Sequence, residues 1–293
     1  METLDINTLN QWLGREQVVE GELTAVTANL MQATLNRQPT LQAGDELPPA
    51  WHWLYFHEPV PGGSLGADGH PQLGGFMPPV NFGTGEPPRR MWAGGKLTFG
   101  QPLRLGERVT KRSTIKAIMP KKGRNGRLCF VIVEHELSVG NERRLLEEQT
   151  IVYREPVTTG GDAVVAPPAP ATSDFSATYH PNPVMLFRYS ALTFNSHRIH
   201  YDADFCRQHE GYPDLVVHGP LTATLLLDLF YRQFPYKHIA TFSYRGVSPL
   251  FNPHPFTIHG TVNGEAWASN AHGELAMSAQ IAFTLGEVYQ PFG

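Results

Sequence analysis

Cysteine, long apolar runs and any excess of charge are all scarce in this chain of 293 residues. Its two cysteines, Cys129 and Cys206, are far apart and show no metal-type pair spacing, so neither a disulfide framework nor a zinc ribbon is expected. Both read as free thiols, with Cys206 a small residue in the first turn of a short helix rather than a nucleophile. No stretch reaches the roughly 18 apolar residues that a membrane span needs. The opening METLDINTLNQWLG has no basic region leading into an apolar core, so no signal peptide is read and a cytoplasmic location is expected. A formal net charge of −4 gives no electrostatic reason to expect nucleic acid as a partner. HExxH is absent, and neither Ser190 nor Ser196 sits in a nucleophile-elbow context, which disfavours zincin and triad hydrolase chemistry.

What is present is a globular composition, 41% hydrophobic and 17% charged, enough for one large or two medium cores. Residues Leu4 to Leu13 predict a short helix. Thr24 to Asn36 carry apolar residues at helical spacing behind a Thr cap, with Leu30, Met31 and Leu35 facing a core. The aromatic run WHWLYF at Trp51 to Phe56 predicts core, His52 included. Between Glu58 and Gly95, glycine, proline, asparagine and arginine replace the aliphatics, and a loop of that length is expected to be functional cover. Strands follow at about 108–118, 127–138 and 143–153, joined by turns at Lys121 to Gly126 and at Gly140-Asn141. The first of these hairpins carries Lys111, Arg112, Lys116, Lys121, Lys122, Arg124 and Arg127, with no acid between Glu107 and Glu134. It reads as a solvated hairpin that discourages edge pairing, or as a landing site for the phosphates of a nucleotide-derived carrier.

The segment Thr158 to Ser173, rich in Gly, Pro, Ala and Thr, reads as a linker between domains at 1–157 and 174–293. Nine of the 13 histidines follow it, so histidine chemistry is expected in the second half. That half predicts a strand at Met185 to Leu192, a long helix from about Gly219 to Phe234 with Leu221, Leu225, Leu226, Leu229 and Phe230 on its apolar face, and strands at Ile239 to Val247, Phe256 to Asn263 and Leu275 to Leu285. Helix first and antiparallel strands after, twice over, is an α+β pattern.

Between the predicted strand and the long helix, Tyr189 to Leu225 concentrates four histidines with Asn195, Arg198 and Asp202. Polar residues at that density need partners or a function. His197, His200 and Asp202 could supply metal ligands, but the spacing fits no strong metal motif and no metal is expected. General acid-base chemistry fits better. The N–H groups at the Gly219 helix start favour developing negative charge, and His200 upstream can serve as a base.

The run Asn195-Ser196-His197-Arg198-Ile199-His200-Tyr201-Asp202, followed by His218-Gly219-Pro220-Leu221, resembles the MaoC-like, R-specific enoyl-CoA hydratases. FRYSALTFNSHRIHYD with YPDLVVHGPL and WHWLYF is most similar to the branch that hydrates itaconyl-CoA and mesaconyl-C4-CoA, with related fungal mitochondrial dehydratases. The resemblance implies a double hot-dog fold, a CoA-thioester substrate, no cofactor and a possible homodimer. It implies His200 as catalytic base and Gly219 as oxyanion donor. Asn195 stands where the family has a catalytic aspartate, and asparagine cannot shuttle a proton, so it is expected to orient water or substrate. Arg198 is the expected partner of a substrate carboxylate, ahead of Arg188 and Arg245, with His197, Tyr201, Asp202 and His218 in the binding site. The implied reaction is reversible hydration of a branched, carboxyl-bearing enoyl-CoA. Its rivals are dehydration of 3-hydroxyacyl thioesters, an inactive acyl-CoA-binding module and a hot-dog thioesterase.

Overall fold

A computed structural model describes residues 4–123, 126–156 and 166–284. Ten strands form one antiparallel sheet: β1 (Glu16–Glu22), β2 (Arg89–Phe99), β3 (Arg108–Gly123), β4 (Gly126–Val139), β5 (Glu142–Arg154), β6 (Phe175–Tyr179), β7 (Ile239–Gly246), β8 (Phe256–Gly260), β9 (Glu265–Asn270) and β10 (Leu275–Phe283). Their spatial order is β1-β3-β4-β5-β2-β7-β10-β9-β8-β6. Within each half the first strand lies outermost and the second innermost, with the third to fifth between them. The two halves therefore share one topology, joined where β2 pairs with β7. The α+β double hot-dog expected from the sequence is this arrangement.

Helices α1 (Ile6–Asn10), α2 (Ala25–Thr34), α3 (Pro183–Leu192), α4 (Ala203–Phe205) and α5 (Gly219–Gln233) complete the fold. Helix α5 has Leu221 through Phe230 buried against β7 to β10 and β2. Its buried Asp228 accepts two bonds from Arg37, at 2.7 and 2.6 Å, and one from Arg232, tying the helix to the first half. In the first half the corresponding span of chain forms two short 3-10 turns, Trp51–Leu54 and Gly62–Ser64. Buried Glu147 clasps the first of them, bonded to His52 Nε2 at 2.9 Å and accepting Trp53 Nε1–H at 3.0 Å. Helix α2 instead follows β1 as α3 follows β6, and the two pack together.

The expected strand at 185–192 is helix α3. Asn182 accepts the Met185 N–H as a cap and Pro183 supplies a preset φ at the first turn, local signals that outweigh the apolar run. Leu30, expected inward, is 53% exposed, while Met31 beside it is fully buried. The sequence reading missed β1, β2, β6 and β9. Residues 158–165 of the expected linker and the tip of the β3–β4 turn at 124–125 lie outside the described residues. The following stretch is pinned to the β9–β10 turn, with Leu275 N–H donating to Pro167 O at 2.8 Å.

Candidate active site

Asn195 leads the chain out of α3, its Oδ1 accepting the His197 N–H at 3.0 Å. A 3-10 turn over Arg198–His200 then carries His200 inward, where it is 6% exposed. His200 Nδ1–H donates to Val216 O at 2.8 Å, which fixes the tautomer and leaves the Nε2 lone pair free. Burial pushes His200 down to about 4, partly offset by the Val216 bond, so the ring is neutral near pH 7. His218 stacks flat behind it, centroids 3.6 Å apart, and shares a 2.8 Å hydrogen bond with Ser190 Oγ. His218 is fully buried and outside the cavity wall, so it backs the His200 ring instead of meeting ligand as the sequence suggested.

The long segment between the Trp51–Leu54 turn and β2 closes over this motif. Arg198 N–H donates to Asp68 O at 2.8 Å, Arg198 Nη1 to Ala67 O at 3.1 Å, and Ser196 Oγ to Gly69 O at 2.5 Å. A Cβ on Gly69, whose φ is +89°, would fall 1.9 Å from Ser196 O, so the close approach requires glycine. The segment delivers His70 beside His197, ring centroids 4.0 Å apart. Asp68 Oδ2 accepts His70 Nδ1–H at 3.0 Å, a dyad that aims the opposite ring nitrogen away from the carboxylate. Burial pushes Asp68 up, yet the His70 hydrogen bond and charge outweigh it and hold the carboxylate at about 2. Burial, followed by the neighbouring His70 and His200, drives His197 down to about 2.

Asp68, His70 and His197 bring potential ligand atoms within 4.8 Å of one another. A cation there would have to break the Asp68–His70 bond and sit in the positive field of Arg90, which already depresses both histidines. The chemistry favours the hydrogen-bonded dyad. The array anticipated from spacing, His197-His200-Asp202, is not brought together: Asp202 accepts the Phe205 N–H at 2.9 Å as a helix cap and pairs with Arg198 at 2.7 Å. Arg198 is correspondingly occupied, gripping Asp202 and Ala67 O with its guanidinium 4.2 Å from the centroid of the Phe205 ring, and it does not line the cavity. Arg188 and Arg245 are exposed elsewhere. The sequence expectation of Arg198 as carboxylate partner therefore gives way to a structural role.

A cavity of about 970 Å³ lies at the junction of the halves. His70, Arg90 and Trp92 reach it from the first half; Asn195, His197, His200, Tyr201 and Gly219 reach it from the second. It opens where β2 and β7 diverge. From Gly94 onward β2 pairs with both β5 and β7, but before its bulge at Trp92/Gly94 it pairs only with β5. Gly219 opens α5 against Trp92, whose ring carbon would lie 2.9 Å from a Cβ there. Glycine thus lets the helix start press against the aromatic wall of Trp92, Trp53 and Tyr244. Its N–H, in the first turn, has no intrahelical acceptor. Tyr201 lines the mouth, its hydroxyl donating to Ser196 O at 3.0 Å.

Other motifs take structural parts. Gly62-Gly63-Ser64-Leu65-Gly66 has nucleophile-elbow spacing but forms a 3-10 turn in a loop, with no strand leading into it or helix following. Cys206 donates its S–H to Ile199 O at 3.2 Å, and burial raises it to about 11. The basic residues of the hairpin are answered by acids from neighbouring elements and from β4 itself: Arg112 by Glu16, Lys116 by Glu134 and Arg127 by Glu155. Lys111 faces Glu147 from a buried setting that lowers its pKa. Arg112 and Lys116 make their pairs from exposed positions, whereas Lys111 is turned inward. Among the described residues, no helix is long and apolar enough to cross a membrane.

The hydroxyacyl-thioester dehydratase type 2 family matches residues 50–252. The chain is 41% identical to the mesaconyl-C(4)-CoA hydratase of Chloroflexus aurantiacus, over 92% of this chain and 96% of that protein. Among solved structures it resembles a MaoC-like dehydratase from Phytophthora capsici, at TM-score 0.65 and 14% identity, covering 97% of this chain and 100% of that one. It also resembles a Mycobacterium tuberculosis protein with a double hot-dog fold, at TM-score 0.54 and 11% identity, covering 92% and 96%.

Proposed function

The chain belongs to the hydroxyacyl-thioester dehydratase type 2 family, and from that membership we propose that it reversibly hydrates a branched, carboxyl-bearing enoyl-CoA. Mesaconyl-C4-CoA, giving citramalyl-CoA, is the first candidate, with itaconyl-CoA the second. The observation that carries the reading is the 41% identity, across nearly both chains, to a mesaconyl-C(4)-CoA hydratase. The cavity supports it, bringing a neutral histidine and a free helix-start N–H to one apolar, aromatic-walled space. The cytoplasm is the compartment expected for such an activity.

In the hydration direction His200 Nε2 takes a proton from water as its oxygen attacks the β-carbon. Charge passes to the thioester oxygen as an enolate, which the Gly219 N–H stabilises. The Asn195 side chain, its Oδ1 engaged by His197 N–H, offers its amide N–H to orient water or substrate. The α-carbon then takes a proton. Asn195 cannot supply it, and His200, carrying the proton it took from water, returns it to the α-carbon on the same face. The Asp68–His70 dyad, its ring kept neutral by burial, forms the wall beside His197. In reverse, neutral His200 removes the α-proton and passes it to the departing hydroxyl.

Incubating purified protein with mesaconyl-C4-CoA, itaconyl-CoA, crotonyl-CoA and longer enoyl-CoA esters, and reading the mass gain of one water, tests the proposal. Carboxyl-bearing esters should gain water fastest, and His200→Ala should lose roughly 10²- to 10⁴-fold, the range for removing a general base. Preference for long apolar chains would favour fatty-acid dehydration instead. Binding without turnover, or release of free thiol, would overturn hydration altogether.

A further inference from the structure

Deepening that reading, and resting on it, we propose that Arg90 is the residue that grips the substrate's carboxylate and so selects dicarboxylyl thioesters. Arg90 is the single arginine or lysine among the residues lining the cavity. It is half-buried, and among the described residues no hydrogen bond, ion pair or ring contact engages its guanidinium. Its neighbour Arg89 is quite different. Strand alternation turns Arg89 to the other face, where it pairs with Glu210 at 3.4 Å and donates to the His209 and Glu210 carbonyls. Two arginines of the motif region are likewise engaged, Arg198 with Asp202 and Arg207 with Asp214, and Arg188 is exposed away from the cavity.

A guanidinium removed from much of its water and given no counter-ion is an anion site, and its planar fork suits a carboxylate. The location specifies which anion. Arg90 lies close enough to depress both His70 and His197, the rings adjoining His200. In mesaconyl-C4-CoA the carboxylate is borne by the β-carbon that water attacks, so it must lie close to His200. The phosphates of CoA lie at the far end of the pantetheine arm. The β2 bulge provides the opening: ahead of it, Arg90 to Trp92 are free of β7 and face the cavity.

The test compares kcat/KM for mesaconyl-C4-CoA, crotonyl-CoA and the mesaconyl-C4 thioester of pantetheine, in wild type and in Arg90→Met. The expected result is that the ratio of mesaconyl-C4-CoA to crotonyl-CoA falls by on the order of 10²-fold, as truncating one partner of a buried charge pair does. The same loss should persist with the pantetheine thioester. Equal losses on mesaconyl-C4-CoA and crotonyl-CoA would overturn the assignment, and a loss that vanishes on the pantetheine thioester would move Arg90 to the CoA phosphates. Should Arg90→Met fail to fold, Arg90→Lys carries the same comparison, with an expected fall in the ratio of about tenfold from loss of the fork. A wild type without preference for the carboxylated ester would instead sink the substrate reading itself. A wild-type preference that survives both substitutions would sink Arg90 alone.

Discussion

With Nδ1–H held by Val216 O, burial at about 4 and His218 stacked behind it, His200 is neutral across the physiological range and needs no deprotonation before it can act. We predict that a pH profile of kcat/KM will show the limb that belongs to His200 near pH 4, activity falling as the ring protonates below it. A His200 limb near the ordinary 6.5 would contradict the burial argument. The dyad makes a separate prediction. Asp68→Asn keeps the size of the side chain but removes the carboxylate that fixes the His70 ring beside His197, so kcat should fall by about 10²-fold with KM nearly unchanged, and the Asp68→Glu variant should recover part of it. A proportionate change in KM with kcat intact would make Asp68 part of the binding wall only. At this scale the sequence reading was uneven for a physical reason. Asn195, His200 and Gly219 lie on contiguous turns whose local geometry is written in neighbouring residues. Arg90, Asp68 and His70 arrive from another half of the chain, and nothing local to them says where the bulge in β2 or the fold of the loop will aim them.

Among the elements, the covering loop expected over Glu58 to Gly95 was legible from its length and composition up to Arg89, where strand β2 begins, while its docking was not. The docking depends on backbone carbonyls at 67 to 69 meeting Ser196 and Arg198, and a carbonyl has no side-chain letter. Gly69→Ala is predicted to push this segment off the motif, because its Cβ would overlap Ser196 O and its φ of +89° disfavours any side chain. Since the core beneath is untouched, kcat/KM should drop by at least about tenfold, whereas thermal stability should fall by only about 1–3 kcal/mol, the cost of local strain. A variant as active as wild type would show that the contact is not needed. Gly219 presents the same logic at a helix start, where alanine would meet Trp92. Helix α3 shows the opposite kind of failure. Its apolar residues suggested a strand, but the Asn182-Pro183 cap decided the matter, a signal that was present in the letters and outweighed by hydropathy.

At the level of the whole molecule, both halves repeat one strand order, yet only the second retains a long central helix, and the first half fills that place with the Trp51–Leu54 turn clasped by Glu147. Alternating burial along β3 to β5 made those strands readable, whereas the equivalence of the halves emerged only from pairing order. The arrangement buries neutral imidazoles on both sides of the junction, and that sets how the fold responds to acid. Burial pushes His135 down to about 3 and His200 to about 4, and His218 lies well below its ordinary 6.5. In the unfolded chain each protonates near 6.5, so below that pH the unfolded state binds more protons and stability falls as pH falls. The loss continues until the folded values are passed, and Glu147 and Asp68, held near 2, add to it only below their ordinary 4.5 and 3.8. Each such histidine removes on the order of 1 kcal/mol per pH unit across that window. We therefore predict a melting temperature that declines steadily from pH 6.5 to 4.5. His135→Leu, which removes one buried imidazole remote from the His200 stack, should flatten that slope by about one proton's worth while costing some stability at pH 7 through its lost bond to Ser113. An unchanged slope in that variant would mean that His135 takes up its proton in the folded state despite its burial.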